Sequence, residues 1–212
     1  REVAWPPAGC AAREPLSERL SRTQAAEVLS AWAFLSSMGP ALGLWPFSCI
    51  ELVDALESGR GRLLTDLHIV MLRLVLSDVA QAIDFARGEL VLQNTLSTAQ
   101  AAVLAAPEHR MDPRAWMAHL NELTWPEVLR QLAVCSGWDV DAETDFYDAD
   151  DSDGTWVDAL AAGEYGDLSL GARVSALLAL LSSAMCSGPV REALERREAT
   201  ANMGRRLQYV ER

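Results

Sequence analysis

The chain is expected to be all-α, a multi-helix bundle, and three observations carry that expectation. Apolar residues recur at three- and four-residue intervals in segment after segment. Ser, Thr or Asp stands in front of these segments and Gly or Pro behind them. No stretch alternates apolar and polar residues as a half-buried strand would, and no unit repeats at a fixed period.

Taken in order, Ser21 with Gln24 reads as a capping box, and Val28, Leu29, Trp32 and Leu35 follow at helical spacing. Gly39-Pro40 is the expected stop, because Gly permits the turn and Pro cannot continue the helix. Ser48 with Glu51 is a second capping box, followed by Ile50, Val53 and Leu56 and ended by Gly59 and Gly61. Thr65 or Asp66 then caps a third helix reaching about Arg87. Its Leu67, Val70, Met71, Leu74, Val75 and Val79 make one apolar stripe, and Ile69, Leu72 and Leu76 make another. Only Arg73, Ser77, Gln81 and Asp84 form a polar strip, so this helix is expected at the centre, covered on several sides. An Ala- and Leu-rich helix from Leu90 to Ala105 ends before Pro107, and Asp112-Pro113 starts the next. Thr124-Trp-Pro-Glu127 reads as another capping box, with Val128, Leu129, Leu132 and Ala133 behind it and Gly137 as its stop. Ser169 caps a helix bearing Leu170, Val174, Leu177, Leu178, Leu181 and Met185. Ser187-Gly188-Pro189 breaks it before a final Arg-bearing helix.

With 212 residues and 50% hydrophobic content the chain holds enough apolar mass for one large or two small domains. There is no apolar run long enough to span a membrane and no signal-peptide pattern, and the expectation is a fragment of a longer protein with no membrane association. Four scattered cysteines, Cys10, Cys49, Cys135 and Cys186, form no C-x-x-C and suit neither a zinc site nor a disulfide framework. All 18 basic residues are Arg. The net charge of −12 is concentrated: residues 139–167 hold eleven acids and no Arg, and removing those eleven from the 30 leaves 19 acids against 18 Arg. The chain therefore reads as a near-neutral helical body with an acidic insert, solvated around Asp148–Gly154.

Enzyme constellations are absent from the pattern. Without Lys a Walker-type loop is impossible, and no G-x-S-x-G or paired-carboxylate arrangement occurs. His68 sits in the most apolar helix and is expected to be a satisfied packing imidazole, while His109 and His119 lack partners at metal-ligand spacing. The run Asp148-Ala-Asp-Asp-Ser-Asp-Gly154 fails the calcium-loop template, because Gly at the sixth position puts Ala149 first and Leu160 twelfth. No catalytic residue, metal site or cofactor is expected, and no small-molecule substrate.

The pattern W-x-F-L at Trp32–Leu35, a Gly-containing break, Leu44-x-Pro46-Phe47-Ser48 with Leu52 and Ala55-Leu56, and Leu63-Leu64 with Leu67-His68 and Met71-Leu72-Arg73 resembles the DDT domain of chromatin-remodelling and transcription proteins. Leu120-Asn-Glu-Leu-Thr-Trp-Pro-Glu-Val-Leu-Arg-Gln131 is similar to the L-T-W-P segment that follows that domain in plant and algal Ringlet-type homeobox and DDT–PHD finger proteins. Gly163-Glu-Tyr165, Leu168-Ser-Leu-Gly-Ala-Arg-Val174 and Val190-Arg-Glu-Ala-Leu-Glu-Arg-Arg197 look like the WHIM1 motif. The resemblance implies a non-enzymatic, nuclear protein-interaction scaffold that docks an ISWI-type remodelling ATPase. The alternative is a module contacting DNA or histones directly.

The expected organisation is a flexible segment over 1–16, a DDT-like domain over 17–87, further helices over 88–138, an acidic loop over 139–154 and a WHIM1-like region over 155–212. Candidate partner-binding residues are Trp156, at a polar boundary, and Asp148, Asp150, Asp151 and Asp153, facing a basic partner such as a histone tail. A Trp that pins the loop to the body is the competing reading for Trp156. Candidate DNA-contacting residues are Arg191, Arg196, Arg197, Arg205 and Arg206, but residues 189–212 carry only six Arg against four acids, so linker-DNA binding should be weak and salt-sensitive.

Overall fold

In the computed structural model, residues 19–88, 112–136, 138, 155–188, 190–196 and 199 are described, with side chains to Gln81 in the first stretch. The expected helix over Leu90–Ala105, the Asp148–Gly154 run and Arg197, Arg205 and Arg206 lie outside them. Seven helices run in order: α1 (Arg22–Leu42), α2 (Cys49–Ser58), α3 (Arg62–Gly88), α4 (Pro113–His119), α5 (Trp125–Ser136), α6 (Trp156–Ala162) and α7 (Leu170–Met185). A 3-10 turn, Tyr165–Asp167, joins the last two, and residues 190–196 are again helical after a bend. Among the described residues there is no strand, and no single helix is long and apolar enough to cross a membrane.

Local signals set most helix starts. In α1 and α2 both capping boxes form: the Gln24 amide donates to Ser21 Oγ and the Ser21 amide to Gln24 Oε1, and Ser48 and Glu51 repeat the arrangement. Asp112 accepts from the Arg114 and Ala115 amides with Pro113 in the first turn of α4, and Ser169 accepts from Ala172 in α7. Thr155 and Asp158 make a third box at α6, so Asp158 belongs to the folded body rather than to a solvated acidic run.

Three boundaries differ from expectation. Helix α1 passes through Pro40 and stops at Gly43, whose φ of 69° is left-handed and whose amide closes onto Gly39 O. A Pro in the last turn removes only one amide donor, and Gly39 before it has no Cβ to meet the pyrrolidine ring. Helix α3 begins at Arg62, directly after the Gly59–Gly61 turn, which places Thr65 and Asp66 inside its first turns instead of at its cap. Thr124 precedes α5, but its hydroxyl donates to His119 O and accepts from the Asn121 amide, while the Glu127 carboxylate takes Arg130 and Gln131. The expected Thr124–Glu127 box is therefore replaced by a turn that folds back onto the end of α4.

Helix α3 is the hub. It packs against α2, α4, α5 and α7, and Leu64, Leu67, Met71, Leu72, Val75, Leu76 and Val79 on it are all buried. Helix α7 covers the opposite side, touching α1, α2, α3 and α6, with Val174, Ala176, Leu177, Leu180, Leu181 and Ala184 buried. One hydrophobic cluster takes buried residues from α1, α2, α3, α5, α6 and α7, with Trp116 and Met117 of α4 packed against it. The expected faces of α1, α2 and α7 are each turned slightly: Leu29, Ile50 and Met185 are exposed, whereas Ala31, Met38, Leu52, Leu180 and Ala184 are buried.

At the α3–α5 contact, His68 is fully buried with Nδ1 2.8 Å from Leu64 O. Its ring lies 4.3 Å from Trp125 and 5.0 Å from Tyr165, and those two rings meet edge-on at 4.7 Å. The imidazole packs as expected but is only half satisfied, since Nε2 has no hydrogen-bond partner among the described residues.

Burial opposes charging of this ring, and its pKa falls to about 4 from 6.5. Between those values the unfolded chain binds the extra proton, so stability is full above pH 6.5 and is lost as pH falls toward 4, by about 3 kcal/mol in all. Chemical denaturation at pH 7, 6 and 5, above most carboxylate titration, should show the native chain losing stability on acidification while His68→Leu has a flatter profile. Parallel profiles would show that the ring titrates normally.

Candidate functional site

Where the α2–α3 turn, the start of α5 and the 3-10 turn meet, they enclose a cleft of about 850 Å³. One wall is Gly59-Arg60-Gly61 and Thr65, a second is Glu122, Leu123, Trp125, Pro126 and Glu127 with Arg130, and a third is formed by residues 160–167. Trp125 and Tyr165, both members of the aromatic cluster with His68, contribute to its lining. Four carboxylates, Glu122, Glu127, Glu164 and Asp167, stand there against two guanidinium groups, Arg60 and Arg130. Arg130 is taken by Glu127, which holds the Glu127 carboxyl below its usual pKa. Leu123 stands at the rim, 89% exposed.

Arg173 holds the cleft walls in place from beneath. This α7 side chain is buried, and Nη1 donates to Leu56 O at 2.7 Å and Glu57 O at 2.8 Å, the last-turn carbonyls of α2. Nη2 donates to Gly166 O at 2.7 Å in the 3-10 turn. A cation at a helix C-terminus meets both the unsatisfied carbonyls and the negative end of the helix dipole. The chain above it must be Gly59: φ is 63°, and a Cβ there would lie 2.6 Å from the guanidinium carbon. The motif resemblance includes Arg173, but nothing in the linear sequence assigns it to the end of a helix more than a hundred residues away.

Tyr165 is buried, which pushes its phenol pKa up, and among the described residues its hydroxyl has no hydrogen-bond partner. No three His, Cys, Asp or Glu side chains among the described residues converge on a point that could hold a metal ion.

The structure treats the sequence-derived candidates unequally. Trp156 is corrected: it is 5% exposed, in the first turn of α6, with its ring 5.9 Å from that of Trp138. The Thr155 cap turns it into the core, so it pins the chain to the body and offers no surface to a partner. Asp148, Asp150, Asp151 and Asp153 lie outside the described residues. Arg191 and Arg196 are exposed, and Arg196 pairs with Glu192 one turn away at 3.4 Å. Trp156, Arg191 and Arg196 do not line the cleft. Trp45, 83% exposed, and Ile50, 43% exposed, are large apolar side chains left at the surface.

A family model, that of the DDT domain, matches residues 24–78. The chain contains a DDT domain. Its three helices are α1, α2 and most of α3, so the cleft lies where the DDT domain meets the segments that follow it. Similar proteins include the homeobox-DDT domain proteins RLT1 and RLT2 of Arabidopsis thaliana, 38% identical over 119 residues and 30% over 145 residues. Those alignments cover 52% and 65% of this chain but only 7% and 9% of the relatives, so the chain spans less than a tenth of their length. RLT3 of the same plant is 31% identical over 106 residues. No solved structure matches.

Two outcomes follow. Arg173→Met should cost roughly 3 kcal/mol or more, because three carbonyl partners lose a charged donor. Gly59→Ala should cost a comparable amount from backbone strain plus the displaced guanidinium. Because both act on one contact, the double variant in urea titrations should lose clearly less than the sum, and additivity would rule the clamp out. Tyr165→Phe removes a hydroxyl that bonds nothing, so its thermal midpoint should equal or exceed that of the native chain; a drop of several degrees would reveal a partner for that hydroxyl.

Proposed function

We propose that the chain is a non-enzymatic docking scaffold of a nuclear chromatin-remodelling regulator, and that it binds an ISWI-type ATPase. The observation that carries the reading is the DDT domain match on a helical body whose buried polar groups serve packing and capping. His68, Arg173 and Tyr165, the groups best placed for chemistry by burial, are occupied with aromatic and carbonyl neighbours. The relatives with homeobox-DDT names support a role in transcription or chromatin. Function would then reside in shape: a preorganised helical surface loses little conformational entropy on binding and so holds the motor in position.

In this reading residues 17–87 are the DDT-like unit, 88–138 extend it, and 155–212 form a WHIM1-like region. The acidic loop 139–154, with Asp148, Asp150, Asp151 and Asp153, faces a basic partner. Arg191, Arg196, Arg197, Arg205 and Arg206 supply weak contact with linker DNA. The exposure of Arg191 and Arg196 favours, as a second reading, direct contact with DNA or histones.

Titration calorimetry against the C-terminal region of an ISWI-type ATPase, with a DNA duplex in parallel at low and moderate salt, separates the two. Docking through a preformed apolar and hydrogen-bonded surface should persist at moderate salt, whereas phosphate contacts should weaken steeply. No ATPase binding, with DNA or histone binding that collapses as salt rises, would overturn the docking role and favour direct contact.

A further inference from the structure

We propose that the cleft between the α2–α3 turn, the start of α5 and the 3-10 turn binds an Arg- or Lys-bearing peptide segment with an aliphatic side chain among its cations. The proposal does not depend on the partner being a remodelling ATPase.

Charge complementarity sets the occupant. With Glu127 and Arg130 paired to each other, Glu122, Glu164 and Asp167 remain against Arg60 alone, and all four side chains belong to exposed residues. Among the described residues no ion pair fixes Glu122, Glu164 or Asp167. Glu122 comes from one wall and Glu164 and Asp167 from another, and no three carboxylates gather around a point that could hold a metal ion among the described residues. Spread carboxylates suit successive guanidinium or ammonium groups along an extended chain. They repel phosphates, which disfavours nucleic acid here.

A second feature is apolar. Leu123 stands 89% exposed between Glu122 and the Thr124 turn, on a backbone held by Asn121 Oδ1, which accepts from the Leu123 amide at 2.9 Å. An aliphatic side chain held on a fixed backbone loses little entropy when covered, and each buried apolar surface contributes to affinity. A third feature lies in the lining. Tyr165 contributes to the cleft wall and is more than nine-tenths buried, and its hydroxyl has no partner among the described residues, a cost that a polar group or a water reaching it with a ligand would relieve. The Arg173 clamp beneath keeps the walls from moving apart before binding.

The test uses fluorescence anisotropy with a fluorescein-labelled peptide rich in Arg and Lys around a central Leu, and a control peptide carrying Glu in place of every cation. The chain should bind the first saturably and not the second. Glu122→Arg with Glu164→Arg should weaken binding about tenfold, as two favourable charge contacts become repulsive. Leu123→Ser should weaken it severalfold and less steeply with salt, being an apolar loss. Glu195→Arg, an exposed acid outside the cleft, should change affinity less than about twofold. All substituted residues are exposed, and thermal melts that match the native chain confirm that each variant is folded. Absence of saturable binding, or equal binding by the Glu122/Glu164 variant, or equal loss from Glu195→Arg, would overturn the proposal and assign any attraction to the general acidity of the chain.

Discussion

A buried cation without a carboxylate partner is costly unless hydrogen bonds and fixed dipoles replace its water. Arg173 meets most of that condition through three carbonyl oxygens, while its buried Nε has no hydrogen-bond partner among the described residues. Two of them belong to the last turn of α2, where Leu56 O also takes the Gly59 amide at 3.3 Å, and one belongs to the 3-10 turn before its own helix. The two sides complement each other: the carbonyls that end α2 have acceptor capacity left over, and the guanidinium arrives with donors to place. Because the side chain sits on α7, the contact ties the DDT domain to the part of the chain that follows it, across 117 residues for the Leu56 carbonyl. Gly59 is a consequence of this closure, since no side chain fits between the turn and the guanidinium.

Much of the rest is placed by that closure together with one aromatic contact. Gly166 is fixed by Arg173, and Tyr165 beside it reaches His68 on α3 and Trp125 at the start of α5. Trp125 in turn fixes the tight Asn121–Thr124 turn at the surface. The inner side of this arrangement is closely packed, and its burial keeps His68 neutral. The outer side is the cleft, whose Glu122, Glu164 and Asp167 carboxylates are exposed and enter no ion pair among the described residues. That division separates residues selected by packing from residues that can change without cost to the fold, and it gives the surface scope for recognition.

The fold was legible at the level of local periodicity. Ser21, Ser48, Asp112 and Ser169 announce their helices because a cap needs only the amides two or three residues ahead. The central position of α3 was legible for the same kind of reason, as a helix apolar on nearly all sides has no face to give to water. The Thr124 turn was not, since its hydroxyl had a choice between Glu127 and the end of α4, and the tertiary approach of α4 decided it. The cleft was not legible at all. Its three walls lie in segments that carry the family resemblance, but a resemblance in order along the chain contains no statement that Arg60, Glu122 and Glu164 converge.

Helix identity, most helix starts and an all-α class were thus determined by the sequence alone, because they follow from interactions spanning three or four residues. Which residue of an apolar set is buried was decided by the tertiary structure. Leu29, Ile50 and Trp45 carry apolar side chains and stay exposed, while Arg173 carries a charge and is buried. The physical reason is that burial depends on what a distant helix brings to the same point. Hydrophobicity measures only the gain from leaving water, and a guanidinium met by three carbonyls can displace that gain where a neighbouring helix supplies them.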